Sequence, residues 1–286
     1  MAISLAYLGP QGTNTETAAL AYARILADTT DEKIILHPCS SIAQTIQSVA
    51  TKEANLAVAP VENSTEGSVT ITLDTLWQLE QLKIQQELVL PIPHVFLSRG
   101  TSLQGIDTVY SHPQALAQCQ RWLTHSLPKV KLIPTNSTTE ALSLINQDPT
   151  SAAIASPRAA KLYDLPVLAT NINDYPDNCT RFWVVGLNPN TVGNKITLGF
   201  SVPANVPGAL VKPLQIFASK EINLSRIESR PTRRSLGEYL FFIDLEVENN
   251  HLTEEALTEL ATHTEILRVF GQYSVTPLSN SILSEL

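Results

Sequence analysis

Through the first 185 residues one pattern recurs: a short apolar run, a cluster of Ser, Thr or Asn, then a stretch with helical apolar spacing. Residues 3–8 run into Gly9-Pro10-Gln11-Gly12-Thr13, and a helix is predicted from there to Leu26. Thr13 and Glu16 have the spacing of a capping box, as do Ser111 with Gln114 and Ser137 with Glu140. The run 152–155 leads to Ser156-Pro157, with Pro suited to a first helical turn. Strands alternating with helices predict an α/β fold with mostly parallel strands. In such sheets ligands bind at the carboxyl ends of the strands, where the following helices begin. Helix N-termini carry unpaired N–H groups and a positive dipole end, so several of them converging hold a small acidic ligand with few Lys or Arg. For any single Ser or Thr there, a simple cap is the more economical explanation.

Two extended, Pro-punctuated stretches, 88–96 and 166–175, are separated by about 75 residues. They predict a two-lobed domain over 1–190 with the chain crossing between lobes twice. Lobe one is expected at about 1–90 plus 172–190, and lobe two at about 93–170. A cleft between lobes is a common ligand site, and hinge closure its natural motion. Residues 187–195 form a turn-rich linker. Beyond it the order is strand, helix, strand, strand, helix, strand over 195–277, the split ferredoxin-like plan. Within it a helix is expected at 209–220 and strands at 222–227 and 236–247, with Tyr239, Phe241, Ile243, Leu245 and Val247 on one face.

Composition narrows the function. The 286 residues carry 19 Lys and Arg against 27 Asp and Glu, a net charge of −8, which disfavours nucleic acid and anionic membrane as partners. Hydrophobic residues make up 43%, enough for a sizeable core, and no apolar run approaches a membrane span. The first basic side chain is Arg24, so a basic secretory n-region is absent, and the expectation is a cytoplasmic protein. Cys39, Cys119 and Cys179 are odd in number and widely spaced, which suits reduced thiols rather than disulfides or a metal site. The six His show no metal-ligand pairing, and the turn 9–12 is neither a phosphate-binding loop nor a dinucleotide fingerprint, so no metal and no cofactor are expected. His112 reads as a structural residue in a helix cap, and Cys179 as a poor nucleophile without a nearby His. From the residues alone, the chain is a small-molecule enzyme or binding protein with a cleft for a small anion.

Six segments in order go further. They are Tyr7-Leu8-Gly9-Pro10-Gln11-Gly12-Thr13; Ala59-Pro60-Val61-Glu62-Asn63-Ser64 with Glu66-Gly67-Ser68-Val69; and Ser111-His112-Pro113-Gln114-Ala115-Leu116. Asn178-Cys179-Thr180-Arg181-Phe182, Gly208-Ala209-Leu210 with Leu214, and Glu228-Ser229-Arg230-Pro231 complete the set. Together they resemble prephenate dehydratases, and the resemblance spans 3–276. It implies a two-lobed α/β catalytic domain of the type II periplasmic-binding-protein kind, followed by an ACT domain that senses an amino acid. It also implies a monofunctional chain that starts at the catalytic domain. Gln11 and Asn14 depart from the family pattern, which favours an acidic and an aromatic residue there. Pro213 would sit deeper than the first turn of a helix that began at Ala209, removing a hydrogen bond.

The resemblance implies prephenate as substrate, with Thr180 as hydroxyl donor to the leaving group and no cofactor. Arg181 either pairs bidentately with a substrate carboxylate or is an exposed or lobe-bridging arginine. Asn178 and Phe182 would orient and pack the substrate, and Thr13, Asn63, Ser64, Gln114 and Ser156 are candidate donors. Glu62 and Glu66 would repel a dianion and are expected to serve structure or to bind Arg. For the effector, phenylalanine, the implied residues are Gly208, Ala209, Leu210, Asn223, Glu228, Ser229, Arg230 and Pro231. Paired ACT domains imply a homodimer or homotetramer. Arogenate dehydratase, a non-catalytic amino-acid sensor and a transporter's solute-binding protein are the competing classes.

Overall fold

The computed structural model describes residues 2–136, 138–146, 148–279 and 282–283. Lobe one is built from β1 (Ala2–Leu8), α1 (Asn14–Thr29), β2 (Lys33–Cys39), α2 (Ile42–Ala50), β3 (Leu56–Asn63), β4 (Gly67–Ser68), α3 (Thr70–Gln78) and β5 (Lys83–Pro91). The chain then crosses into lobe two. This comprises β6 (Val95–Ser98), β7 (Thr108–Ser111), α4 (Pro113–Gln118), α5 (Gln120–Ser126), β8 (Lys131–Pro134), α6 (Thr138–Leu144), β9 (Ser151–Ala155), α7 (Pro157–Leu162) and β10 (Val167–Ala169). It returns to lobe one as β11 (Cys179–Gly186). The C-terminal unit is β12 (Lys195–Ser201), α8 (Val211–Ser219), β13 (Leu224–Pro231), β14 (Tyr239–Glu246), α9 (Asn250–Ala261) and β15 (Ile266–Pro277).

The strands are not mostly parallel. β1 pairs parallel with β2 and β3, but β11 lies antiparallel between β3 and β5 because it enters from the far lobe. In lobe two, β7 pairs parallel with β8 and β9, while β6 runs antiparallel to β9 and β10. The two crossings are stitched together. Ile172 N donates to the His94 carbonyl (3.3 Å), and Asn173 Oδ1 accepts from His94 N (2.6 Å).

The C-terminal unit has sheet order β13-β14-β12-β15, the antiparallel ferredoxin-like arrangement. Its sheet does not stand apart. The end of β15 pairs parallel with β5, Ser274 opposite Gln86 through Pro277 opposite Val89, so this sheet and that of lobe one are continuous. One face carries Ile196, Leu198, Phe200, Ile243 and Leu245 against α8 and α9. The other face is buried too, contrary to the single apolar face expected for β14: Leu240, Phe242 and Phe270 pack with Leu73 and Leu76 of lobe one. Trp77 meets Phe242 edge-on at 6.0 Å between centroids. Gly199 makes room for it, since a Cβ there would lie 3.0 Å from the Trp77 ring.

Capping chemistry explains most helix starts. Thr13 Oγ1 accepts from Glu16 N, Ser41 Oγ from Gln44 N, and Ser156 Oγ from Ala159 N with Pro157 in the first turn. At α4 the expected Ser111 is not the cap. Its hydroxyl donates to the Ile154 carbonyl, binding β7 to β9, and His112 Nδ1 accepts from Gln114 N instead. The box expected at Ser137 lies outside the described residues. α8 begins at Val211, so Pro213 is its third residue, where the N–H has no intrahelical acceptor to lose.

Candidate active site

Between the lobes lies a cleft of about 440 Å³, within the usual range for small-molecule sites. Of the residues expected to bind substrate, it gathers Thr13, Asn63, Gln114, Thr180 and Phe182. His94, His112, Gln118, Asn14 and Asn136 line it as well and were not foreseen. Among the described residues that line it there is no Lys or Arg, whereas the N-terminal residues of α1 and α2, Asn14 and Ile42, are present. Partial positive charge from helix ends is therefore the cleft's main attraction for an anion.

At its base is a chain of side-chain amides. Asn63 Oδ1 accepts from the backbone N–H groups of Thr65 and Glu66, both at 3.1 Å, which fixes which end of that amide is oxygen. Asn63 Nδ2 must then donate, and its two N–H groups are shared among Thr180 Oγ1 (3.0 Å), the Cys179 carbonyl (3.2 Å) and Asn178 Oδ1 (2.9 Å). Asn178 Nδ2 donates to Gln118 Oε1 (3.0 Å), and Gln118 Nε2 donates to Thr65 Oγ1 (2.9 Å) and Glu66 Oε1 (3.2 Å). His94 Nε2 completes the chain at 2.9 Å from Gln118 Oε1. Register supports this geometry: Thr180 on β11 sits opposite Asn63 on β3.

Other expected residues are placed elsewhere. Ser64 Oγ accepts from Cys179 N and donates to Asn178 Oδ1, holding the loop rather than lining the cleft. Asn178 is buried and acts through its neighbours. Ser156 donates to the Gly12 carbonyl (3.2 Å) and, with the Arg158–Glu16 pair (2.9 Å), clasps the lobes together. Thr13 faces the cleft, but its hydroxyl donates to the Pro10 carbonyl (3.0 Å) while capping α1.

Arg181 is the clearest correction. Side chains alternate along a strand, so Thr180 and Phe182 face the cleft while Arg181 faces away. Its guanidinium contacts Glu87 through Nε (3.0 Å) and Nη2 (2.5 Å), Glu62 through Nη1 (2.6 Å) and Asp244 through Nη2 (2.7 Å). These contacts turn the guanidinium toward the carboxylates and away from the cleft. Lys195 joins at Glu87 (3.0 Å) and Arg226 at Glu62 (3.5 Å), so three carboxylates balance three cations. Burial opposes the Arg181 charge, but Glu87 and Asp244 outweigh it and raise its pKa further. The bridge runs from lobe one to the C-terminal unit, not between the lobes.

The residues expected at an effector site are also dispersed within one chain. Gly208 (φ +81°) and Ala209 form the turn before α8, with Ala209 N donating to the Val206 carbonyl rather than starting the helix, and Leu210 is the cap position. Asn223 lies past the far end of α8, where Nδ2 donates to Glu246 Oε2 (2.7 Å). On β13, Glu228 accepts from Ser68 Oγ (2.8 Å) and Arg230 grips Asp74 twice at 3.0 Å, so both side chains turn to lobe one. Ser229 and Pro231, on the other face of this edge strand, are exposed.

Fold and site together define a bilobal α/β protein of the small-molecule enzyme class, with a cleft of hydroxyls and amides, joined to a ferredoxin-like βαββαβ unit. Comparison with known proteins narrows this. A prephenate dehydratase model matches residues 5–190 and an ACT domain model residues 196–262. The prephenate dehydratase of Lactococcus lactis subsp. cremoris is 37% identical over 285 residues, covering 96% of this chain and 99% of that protein. The bifunctional chorismate mutase/prephenate dehydratase of Aquifex aeolicus is 42% identical over 275 residues, covering 95% of this chain and 73% of its own length. The crystal structure of the Arthrobacter aurescens prephenate dehydratase in complex with L-Phe superposes with a TM-score of 0.83 at 37% identity, covering 95% of this chain and 90% of that one. The chain belongs to the prephenate dehydratase family.

Proposed function

We propose that the cleft binds prephenate and that Thr180 protonates the departing ring hydroxyl. In this reaction the bond from the ring to its carboxylate breaks and releases carbon dioxide. That electron pair completes the aromatic ring, the carbon–hydroxyl bond breaks, and the hydroxide takes up one proton to leave as water. Phenylpyruvate remains. A positioned hydroxyl donor assists by about 10²–10⁴-fold in general-acid catalysis. The observation that carries this reading is the Asn63 Nδ2 to Thr180 Oγ1 bond. It occupies a lone pair of the hydroxyl, directs the O–H proton away from Asn63, and supports the oxygen as negative charge builds there. Phe182 offers an apolar wall to the ring, and the N-termini of α1 and α2 attract the carboxylates.

The C-terminal unit serves as the phenylalanine sensor, as the bound L-Phe of the Arthrobacter relative suggests. Ser68 and Asp74 give β13 a direct hold on lobe one, so a ligand that shifts β13 reaches the cleft through β4 and β3. The edge position of β13 suits pairing with a second copy, in a homodimer or homotetramer. We place the protein in the cytoplasm. No helix among the described residues is long and apolar enough to cross a membrane.

The test is the initial rate of phenylpyruvate formation from prephenate by the purified protein without added cofactor. Thr180→Ala is expected to lower turnover at least tenfold while circular dichroism stays native. Near-normal turnover in that variant would sink the assignment. Activity on arogenate but not prephenate would move the substrate to the amino-acid form. Equilibrium dialysis with millimolar phenylalanine tests the sensor, and no binding would remove it.

A further inference from the structure

His94 sits on the first crossing between the lobes and is one of the residues around the cleft. It is 4% exposed, and its Nδ1 has no hydrogen-bond partner. The amide chain settles which nitrogen bears the proton. Gln118 Nε2 is engaged as a donor by Thr65 and Glu66, so Gln118 Oε1 is the acceptor facing His94. Nε2 therefore carries the hydrogen and Nδ1 the lone pair. Burial favours the neutral ring, lowering its pKa from the ordinary 6.5. A buried acceptor left unmatched costs free energy, and its natural complement is a donor supplied by the ligand.

We propose that His94 Nδ1 accepts a hydrogen bond from the ring hydroxyl of the substrate and holds that hydroxyl toward Thr180. The inference rests on prephenate being the substrate. Its two carboxylates and its ketone only accept hydrogen bonds at neutral pH, so the ring hydroxyl is the single donor it can offer to a lone pair. With the O–H directed at His94, the oxygen's own lone pairs remain for the Thr180 proton. The group that leaves is thereby fixed at both its donor and its acceptor sides, and no cation is needed to do it.

Two substitutions separate this role from mere support of Gln118. A Gln side chain places an amide N–H near the position of the imidazole Nε2, so His94→Gln keeps the bond to Gln118 and loses the lone pair at Nδ1. An Asn side chain places its oxygen near Nδ1, so His94→Asn keeps the acceptor and loses the bond to Gln118. The measurements are kcat for prephenate and the inhibition constant of phenylpyruvate, which lacks the ring hydroxyl. His94→Gln is expected to lower kcat by about tenfold or more, the loss of one well-placed hydrogen bond, with His94→Asn retaining most of it. Phenylpyruvate should inhibit all three proteins within about twofold of one another, because it makes no bond that Nδ1 supports. Three results would overturn the inference: full activity in His94→Gln, greater loss in His94→Asn than in His94→Gln, or phenylpyruvate binding that weakens in parallel with kcat. A folded wild-type protein inactive on prephenate would instead overturn the reading of the substrate, and this inference with it.

Discussion

Replacing Arg181 with Met distinguishes a structural arginine from a substrate ligand. Met preserves much of the stem and removes the charge. Glu87 and Asp244, with side chains 1% and 0% exposed, then lie together with Lys195, the Trp183 indole N–H and the Thr197 hydroxyl against them. Breaking a buried ion pair from one side costs about 3–5 kcal/mol, against a total stability of about 5–15 kcal/mol. At roughly 2–4 °C per kcal/mol, the expected loss in Tm is roughly 6–20 °C. The assay pairs thermal and urea unfolding with prephenate kinetics at a temperature where the variant stays folded. The ion-network reading expects a large loss of stability and a KM for prephenate within about threefold of wild type, because a group that does not touch the substrate contributes no binding. An unchanged Tm with KM raised tenfold or more would refute it, since that is how a carboxylate ligand on an otherwise uninvolved strand behaves. Arg181→Lys should fall between, because the ammonium retains charge but cannot reproduce the bidentate grip on Glu87.

Gly199→Ala pushes a methyl group against Trp77 and should destabilise by about 1–3 kcal/mol, read as a lower urea midpoint; unchanged stability would show that Trp77 moves freely. Asp74→Ala frees Arg230 and Arg233 and is expected to raise the phenylalanine concentration for half-inhibition at least threefold, with basal turnover preserved. Equal sensitivity in that variant would remove Asp74 from the coupling. Because burial depresses the His94 pKa, the unfolded chain takes up its proton first as pH falls below 6.5, so stability carried by neutral His94 is full above that value and declines below it. The stability gap between wild type and His94→Gln should therefore shift against wild type from pH 7 to pH 5, and a pH-independent gap would contradict a buried neutral ring. Cys119, with its thiol pushed up to about 12 by burial, should react far more slowly with thiol reagents than the partly exposed Cys179.

Much of the fold was legible because it depends on local periodicity. The helical spacing after Thr13, the caps at Thr13 and Ser156, the two extended crossings and the βαββαβ order each follow from residues close in sequence. Errors arose where a distant partner decides. Ser111 and Thr13 both look like caps, yet only contact with the Ile154 carbonyl turns the Ser111 hydroxyl away from α4. Pro213 looked like a helix breaker until the turn at Gly208 set the start of α8 two residues later than expected. Leu240 and Phe242 alternate with the residues that face α8 and α9, and only the docking of α3 beneath them makes a second core there.

The site divides the same way. The sequence by itself determined that Thr180 and Arg181 are adjacent and lie in a strand-forming run, and a strand sends such neighbours to opposite faces, a constraint the expectation that both meet the substrate did not respect. Which of the two meets the cleft was decided by the antiparallel register of β11 between β3 and β5, strands far away in sequence. Asp244, a charge within a largely apolar strand, and Glu87 are unremarkable in sequence until β14 and β5 bring them to one guanidinium. His94 carries no local signal at all. Its importance lies in an unmatched lone pair, and whether a polar atom has a partner is a property of the assembled structure alone.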